Sequence, residues 1–237
     1  MNNGNRIVFA AGTQLDTLFE KASSGAGEEM ELYKKPGEIK VPSSWSRDGR
    51  FLLYFTFAAS KTGSDLWVLP LEGDRKPVLL LGAQFNETLG SFSPDMRWIA
   101  YASNESGREE IYVRRFIAAS SGGKAGPALG EGKWQVSKDG AAAITAATSG
   151  SRPKWRADGK EIIFSGPTGS PMAVDVNGTG AAFQAGVPKQ LFATPAAIGT
   201  WEVTADGKRF LMGMPSGGQT TDEPITVILN WQASLRK

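Results

Sequence analysis

The sequence predicts an all-β protein with the architecture of a β-propeller, and three observations carry that reading. A seven-residue phrase occurs five times: Asp48-Gly49-Arg50-Phe51-Leu52-Leu53-Tyr54, with counterparts starting at Asn3, Asp95, Asp158 and Asp206. The copies recur at intervals of roughly 45–48 residues, with one longer interval of roughly 63, the period of propeller blades. Each copy ends in three consecutive apolar residues, the mark of a strand covered on both faces. About five blade units follow, the first and last incomplete, with boundaries near residues 1–40, 41–88, 89–150, 151–198 and 199–237.

Each phrase is a turn followed by a buried strand. In Ser93-Pro94-Asp95-Met96 the proline presets the first central position of a type I turn, and aspartate suits the second. The next residue must turn left-handed, so glycine is expected there. Gly4, Gly49, Gly159 and Gly207 obey; Met96 does not, and carries an expected strain of roughly 1–2 kcal/mol. The fifth and seventh positions (Ile7/Phe9, Leu52/Tyr54, Ile99/Tyr101, Ile162/Phe164, Phe210/Met212) point to one face of the strand. The sixth (Val8, Leu53, Ala100, Ile163, Leu211) points to the other.

With blade strands labelled a to d from the axis outward, the chain opens directly at strand b, Ile7–Ala10. Thr17–Lys21 reads as strand c, and Glu29–Tyr33 as strand d. The second unit reads as Pro42–Trp45, Phe51–Phe57, Leu66–Pro70 and Pro77–Leu81, its proline fitting an outer edge strand. The third has a tight polar hairpin at Asn104–Arg108, strand c at Ile111–Phe116 and strand d at Lys133–Ser137. Between the last two lies Ala118–Gly132, rich in Gly, Ala and Ser, which reads as a flexible loop. Together with an insertion at Ala141–Gly150 it explains the long interval. The fourth unit holds Arg152–Trp155, Glu161–Ser165, Met172–Val176 and Pro188–Phe192. The fifth holds Thr200–Thr204, Arg209–Gly213 and Ile225–Trp231, with no strand d. A missing first strand and a missing last strand are consecutive in a closed ring, so an upstream segment is expected to close the propeller.

Composition narrows the function. The chain has 237 residues and a formal charge of +2, without the basic footprint of a nucleic-acid binder. It contains no cysteine and no histidine, which excludes disulfides, thiolate metal sites, Ser-His-Asp triads and histidine-ligated metals. No apolar run reaches the roughly 20 residues of a membrane span, so membrane insertion by this chain is not expected.

Several features carry both a bland and a sharp reading. Asn3, Asp48, Asp95, Asp158 and Asp206 read as structural turn residues, since carboxylates this far apart cannot assemble the 6–8 oxygens that calcium takes. Trp45, Trp98 and Trp155 read as packing between blades; Trp134 and Trp231 are less constrained. Asn86, Asn104 and Asn177 open glycosylation triplets, but turn chemistry explains asparagine at such places. Lys61, Glu105 and Arg108 sit on b–c loops where propellers present binding faces, and are the candidate contact residues against the plainer reading of solvated turns. No catalytic, cofactor-binding or metal-binding residue is identified.

The run Ser91–Tyr101 and the Ser-Asn-x-Ser-Gly hairpin after it resemble the TolB-type, WD-repeat-like propeller class. More narrowly, Ser46–Tyr54, Asp65–Leu71, Gly132–Ser137 and Pro224–Trp231 resemble the C-terminal propeller of bacterial transmembrane Ser/Thr protein kinases. That resemblance implies an extracytoplasmic sensing or interaction module with no catalytic residue, preceded by a kinase domain and a membrane helix. The chain itself has no glycine-rich phosphate loop, His-Arg-Asp or Asp-Phe-Gly, so kinase activity does not carry over. The expected role is non-catalytic binding of a protein, peptide or small ligand, without cofactor. Alternatives are a TolB-like periplasmic envelope protein, or the propeller that shields a prolyl-oligopeptidase-type serine peptidase, whose Gly-x-Ser-x-Gly elbow and histidine are not present.

Overall fold

A computed structural model of the chain describes residues 4–57, 63–118, 126–144, 150, 152–180, 182–194 and 201–213. Within them every regular element is a strand, and the strands form five antiparallel sheets in chain order. The first sheet is β1 (Arg6–Ala11), β2 (Thr17–Ala22) and β3 (Met30–Lys34). The second is β4 (Ile39–Trp45), β5 (Phe51–Phe57), β6 (Asp65–Pro70) and β7 (Val78–Leu81). The third is β8 (Glu87–Phe92), β9 (Trp98–Ser103), β10 (Glu110–Ile117), β11 (Ala128–Leu129) and β12 (Trp134–Gln135). The fourth is β13 (Lys154–Trp155), β14 (Glu161–Ser165), β15 (Pro171–Asn177), β16 (Gln184–Ala185) and β17 (Lys189–Gln190). The fifth is β18 (Trp201–Val203) and β19 (Phe210–Met212). The strand expected at Ile225–Trp231 and the turn residue Asn3 lie outside the described residues.

The repeated turn explains how each inner hairpin is built. Asp48 Oδ1 accepts the Ser46 hydroxyl at 2.6 Å and the Arg50 amide at 3.1 Å. Ser46 Oγ in turn accepts the Phe51 amide at 2.9 Å, which starts β5. The same three bonds recur around Asp95, at 2.6, 3.1 and 3.0 Å. At Asp158 the serine is replaced by Arg156, whose guanidinium pairs with both carboxylate oxygens at 2.9 Å. This pairing and the Lys160 amide hold the exposed Asp158 down at about 2. The residue after each aspartate is left-handed, with φ of 79° at Gly49, 71° at Gly159 and 74° at Gly207. Met96 takes the same conformation at φ 61°, where a side chain is costly.

The apolar triplets then divide between neighbours. Leu52 and Tyr54 pack with Leu18 and Leu32 of the first sheet, while Phe51, Leu53 and Phe55 pack with the third. Ile99 and Tyr101 face back to the second sheet; Trp98, Ala100 and Ala102 face forward to the fourth, against Ile162 and Phe164. Odd positions of the triplet therefore face the preceding sheet and the middle position faces the following one. The rule meets its limit at the outermost sheets. Ile7 is 49% exposed and Leu211 is 76% exposed, so the expectation of a sandwiched strand in every copy does not hold there. In each case the face in question has no sheet against it among the described residues.

Three further expectations are corrected. Ala118–Gly132 is not wholly loop: Ala128 and Leu129 pair with Ile117 and Phe116. β10 runs eight residues, longer than β12 can cover, and its far end takes a second partner. The outer strand of the fourth sheet is likewise two short pieces, β16 and β17, split where Gly186 donates to the Asp175 carbonyl at 2.8 Å and Pro188 has no amide to give. Trp134 is more constrained than expected, packing edge-on against Trp98 at 5.5 Å.

One buried cation ties the first two sheets together. Lys40 is 0% exposed, and its ammonium donates to the carbonyls of Asp16 at 2.7 Å, Lys35 at 3.0 Å and Glu38 at 3.0 Å. Burial lowers its pKa below the usual lysine value, with Glu38 opposing that shift.

Two outcomes follow from this geometry. Met96→Gly relieves about 1–2 kcal/mol of left-handed strain and raises the melting temperature by about 2–8 °C; calorimetry showing no rise would refute the strain. Lys40→Met strands three carbonyls and costs on the order of 3 kcal/mol, read as a lowered urea midpoint. An unchanged midpoint would mean that the first sheet does not depend on that ammonium.

Candidate functional site

The turns of neighbouring sheets gather at one end of the stack, and between them lies a cleft of about 750 Å³. Its floor is aromatic. Trp98 opens β9, is buried, and donates its indole N–H to the Gly178 carbonyl at 3.0 Å. Trp155 closes β13 and donates to the Ser91 carbonyl of the third sheet at 3.2 Å. The outer wall is the turn after β15, clamped to the third sheet by Arg97, whose guanidinium donates to Thr179 and Gly180 carbonyls at 3.0 and 2.9 Å. Gly178 is required by closeness: a Cβ there would stand 2.4 Å from Trp98 Nε1.

Charge in the cleft is unevenly committed. Arg156 is held by Asp158 and by Glu161, the latter at 3.2 Å. Lys160 is exposed beside Asp158, and Asp175 is exposed at the outer wall. Arg47, at the tip of the second sheet's turn, is exposed and makes no ion pair or hydrogen bond among the described residues. It also lines a second hollow of about 430 Å³ with Trp45, Trp155, Lys154 and Glu202. Lys154 and Glu202 pair there at 2.6 Å, and burial lowers the Lys154 pKa against that pairing. Together the two hollows offer one uncommitted guanidinium, indole surface and turn carbonyls, which suits recognition of a polar or anionic chain segment.

The opposite end carries the sequence-derived candidates. Glu105 pairs with Lys133 at 2.5 Å. Arg108 pairs with Glu110 at 2.7 Å and donates to the Lys138 carbonyl at 2.5 Å. Both residues share the β9–β10 hairpin and tie it to the outer edge of their own sheet, beside an open hollow of about 390 Å³. Lys61 lies outside the described residues. The glycosylation-type asparagines are engaged by their side chains: Asn86 accepts the Ser64 amide at 3.0 Å, Asn104 the Asn86 amide at 2.9 Å, and Asn177 the Thr179 amide at 3.1 Å. Among the described residues no group of three or more acidic side chains is placed to hold a metal ion.

Sequence reasoning missed the cleft because its residues come from turns of three different repeats. A usable signal was present: Trp98, Trp155 and Arg47 all lie within three residues of a repeat aspartate.

No family model matches the chain, and no curated protein matches it in sequence. Solved structures do. TolB from Acinetobacter baumannii superposes with a TM-score of 0.63 at 17% identity, over 92% of this chain and 49% of that one. The Agrobacterium tumefaciens protein described as a TolB superposes with a TM-score of 0.53 at 15% identity, over 77% of this chain and 61% of that one. The chain thus spans about half to three-fifths of the length of these structures. At such identities the likeness shows the β-propeller fold, and the fold alone.

Gly178→Ala tests the clamp on the cleft wall. The added methyl displaces the turn from the Trp98 indole, lowering stability by about 1–3 kcal/mol and shifting tryptophan emission. Unchanged emission and melting temperature would detach that turn from the cleft.

Proposed function

We propose that this chain is a non-catalytic β-propeller binding module whose partner, a peptide or protein segment with an anionic side chain, docks in the cleft at the turn end. The observation that carries the reading is Arg47, a guanidinium unpaired among the described residues, at the mouth of a tryptophan-floored cleft. Arginine in such a setting recognises carboxylate or phosphate through a planar fork, and nearby indole surface adds contact area.

The parent context divides into two finer readings. The stretches Ser46–Tyr54, Asp65–Leu71, Gly132–Ser137 and Pro224–Trp231 favour a sensor attached to a receptor-type Ser/Thr kinase and lying outside the cytoplasm. The structural likeness to TolB favours an envelope protein of that type. Both use the propeller for binding. The surrounding reading frame separates them: a kinase domain and membrane helix ahead of Met1 supports the first, a secretion signal the second, and a hydrolase domain would overturn both.

The docking site is tested by selecting linear peptides from a displayed library against the chain, then titrating the enriched peptides. Acidic sequences are expected, with affinity falling at least tenfold on combining Arg47→Glu with Lys160→Glu, and holding on Arg108→Glu. Loss on Arg108→Glu alone would move the binding face to the hairpin end that carries Lys61, Glu105 and Arg108. Failure to enrich any saturable peptide would remove the proposal.

A further inference from the structure

At the hairpin end, the second and third sheets are stitched by backbone and asparagine bonds. The Glu87 amide donates to the Ser64 carbonyl at 2.7 Å. The Ser64 amide returns to Asn86 Oδ1 at 3.0 Å, and the Asn86 amide continues to Asn104 Oδ1 at 2.9 Å. Gly63 lies so close to Phe85 that a Cβ would stand 2.5 Å from its carbonyl oxygen. Within this seam sit two carboxyl groups, Asp65 at the start of β6 and Glu87 at the start of β8.

Neither is fully provided for as an anion. Glu87 is 3% exposed, and its Oε2 is buried without a hydrogen-bond partner among the described residues; Asp65 Oδ1 is buried in the same condition. Glu110, the corresponding first residue of β10, shows how this fold accommodates a buried carboxylate. It receives the Arg108 guanidinium, the Ser137 hydroxyl and the Gly140 amide. An unpaired buried anion is far more costly than the protonated acid in the same place.

We propose that this seam is a proton-operated latch: with a proton on Glu87 the second and third sheets close at the hairpin end, and ionisation of Glu87 beside Asp65 opens them. The stitch ends on Asn104, so the Asn104–Arg108 hairpin moves with it.

The groups facing Glu87 support that sense. Burial pushes it up to about 7; the Ala83 amide opposes, Asp65 and Glu105 push further, and Lys133, already paired with Glu105, opposes. Tyr101 of β9 lies within the field of Glu87 and is itself raised, chiefly by burial, with Arg114 lowering it. Asp65 is raised by burial and then by Glu38. A carboxyl raised in the folded state binds its proton more tightly there than in the unfolded chain. Its stabilising contribution is therefore complete below the ordinary carboxylate range and is lost as pH rises through about 7. Burial raises Glu109 to about 7 as well, so melting curves alone cannot assign the effect.

The test is amide exchange at Ser64 and Glu87 in the whole chain at pH 6 and pH 8, corrected for intrinsic exchange. Protection in the wild type and in Glu109→Gln should fall at least fivefold between the two values, and Glu87→Gln should keep its pH 6 protection at pH 8. Asp65→Asn removes a charge that disfavours ionised Glu87 in the closed seam, so its loss of protection between pH 6 and pH 8 should be smaller than in the wild type; this variant serves if Glu87→Gln does not fold. Equal pH dependence in Glu87→Gln and wild type would overturn the latch. So would recovery of full protection at pH 8 on adding calcium, which would make the seam a cation site.

Discussion

The structure depends on one constraint: a strand that is apolar on both faces must be covered on both. Leu52 and Tyr54 need one neighbour, and Leu53 needs another. No flat two-layer arrangement meets that demand for several strands in succession. Stacked sheets do, each serving as the cover for the next. The tight Asp turn makes this repeatable, because it returns the chain into the same sheet before the next apolar triplet begins. The hydrogen bonds of that turn are spent locally, so the triplet is free to pack at long range.

The parts legible in sequence are those whose cause is local. The aspartate turn is recognisable from Ser-Pro-Asp or Asp-Gly, and the left-handed Met96 from its place in the repeat. β5, β9 and β14 are recognisable from unbroken apolar runs. The outer strands are legible only in part: Lys189–Gln190 lies within the expected Pro188–Phe192, whereas Gln184–Ala185 has no strand character of its own and exists because β15 leaves backbone groups to be paired. The same holds for Ala128–Leu129. Buried charge is illegible for a related reason. Nothing near Lys40 in sequence announces that carbonyls of Asp16, Lys35 and Glu38 converge on it, since Asp16 arrives from another sheet.

The candidate site shares this property. Arg47, Trp98 and Trp155 are each explicable within their own repeat, and only stacking places them around one cleft. The two ends of the stack consequently differ in character. The turn end holds its carboxylates at the surface in hydrogen-bonded turns, and keeps one guanidinium uncommitted. The hairpin end draws charge inward, with Glu110 fully supplied with donors and Glu87 undersupplied. A surface for recognition and a seam sensitive to protonation are thus separated by the length of the strands.

The division of the apolar triplet also gives the stack a direction. The first sheet shows its odd-position face outward through Ile7, and the fifth shows its middle-position face through Leu211. These two faces are unlike, and in the interior each kind meets only the other. Any further β-unit therefore joins in the same sense as the existing ones, head to tail, and two copies meeting through identical faces would find no complement. Growth by repetition of this motif is a vectorial process, with polarity written into alternate side chains of a single strand.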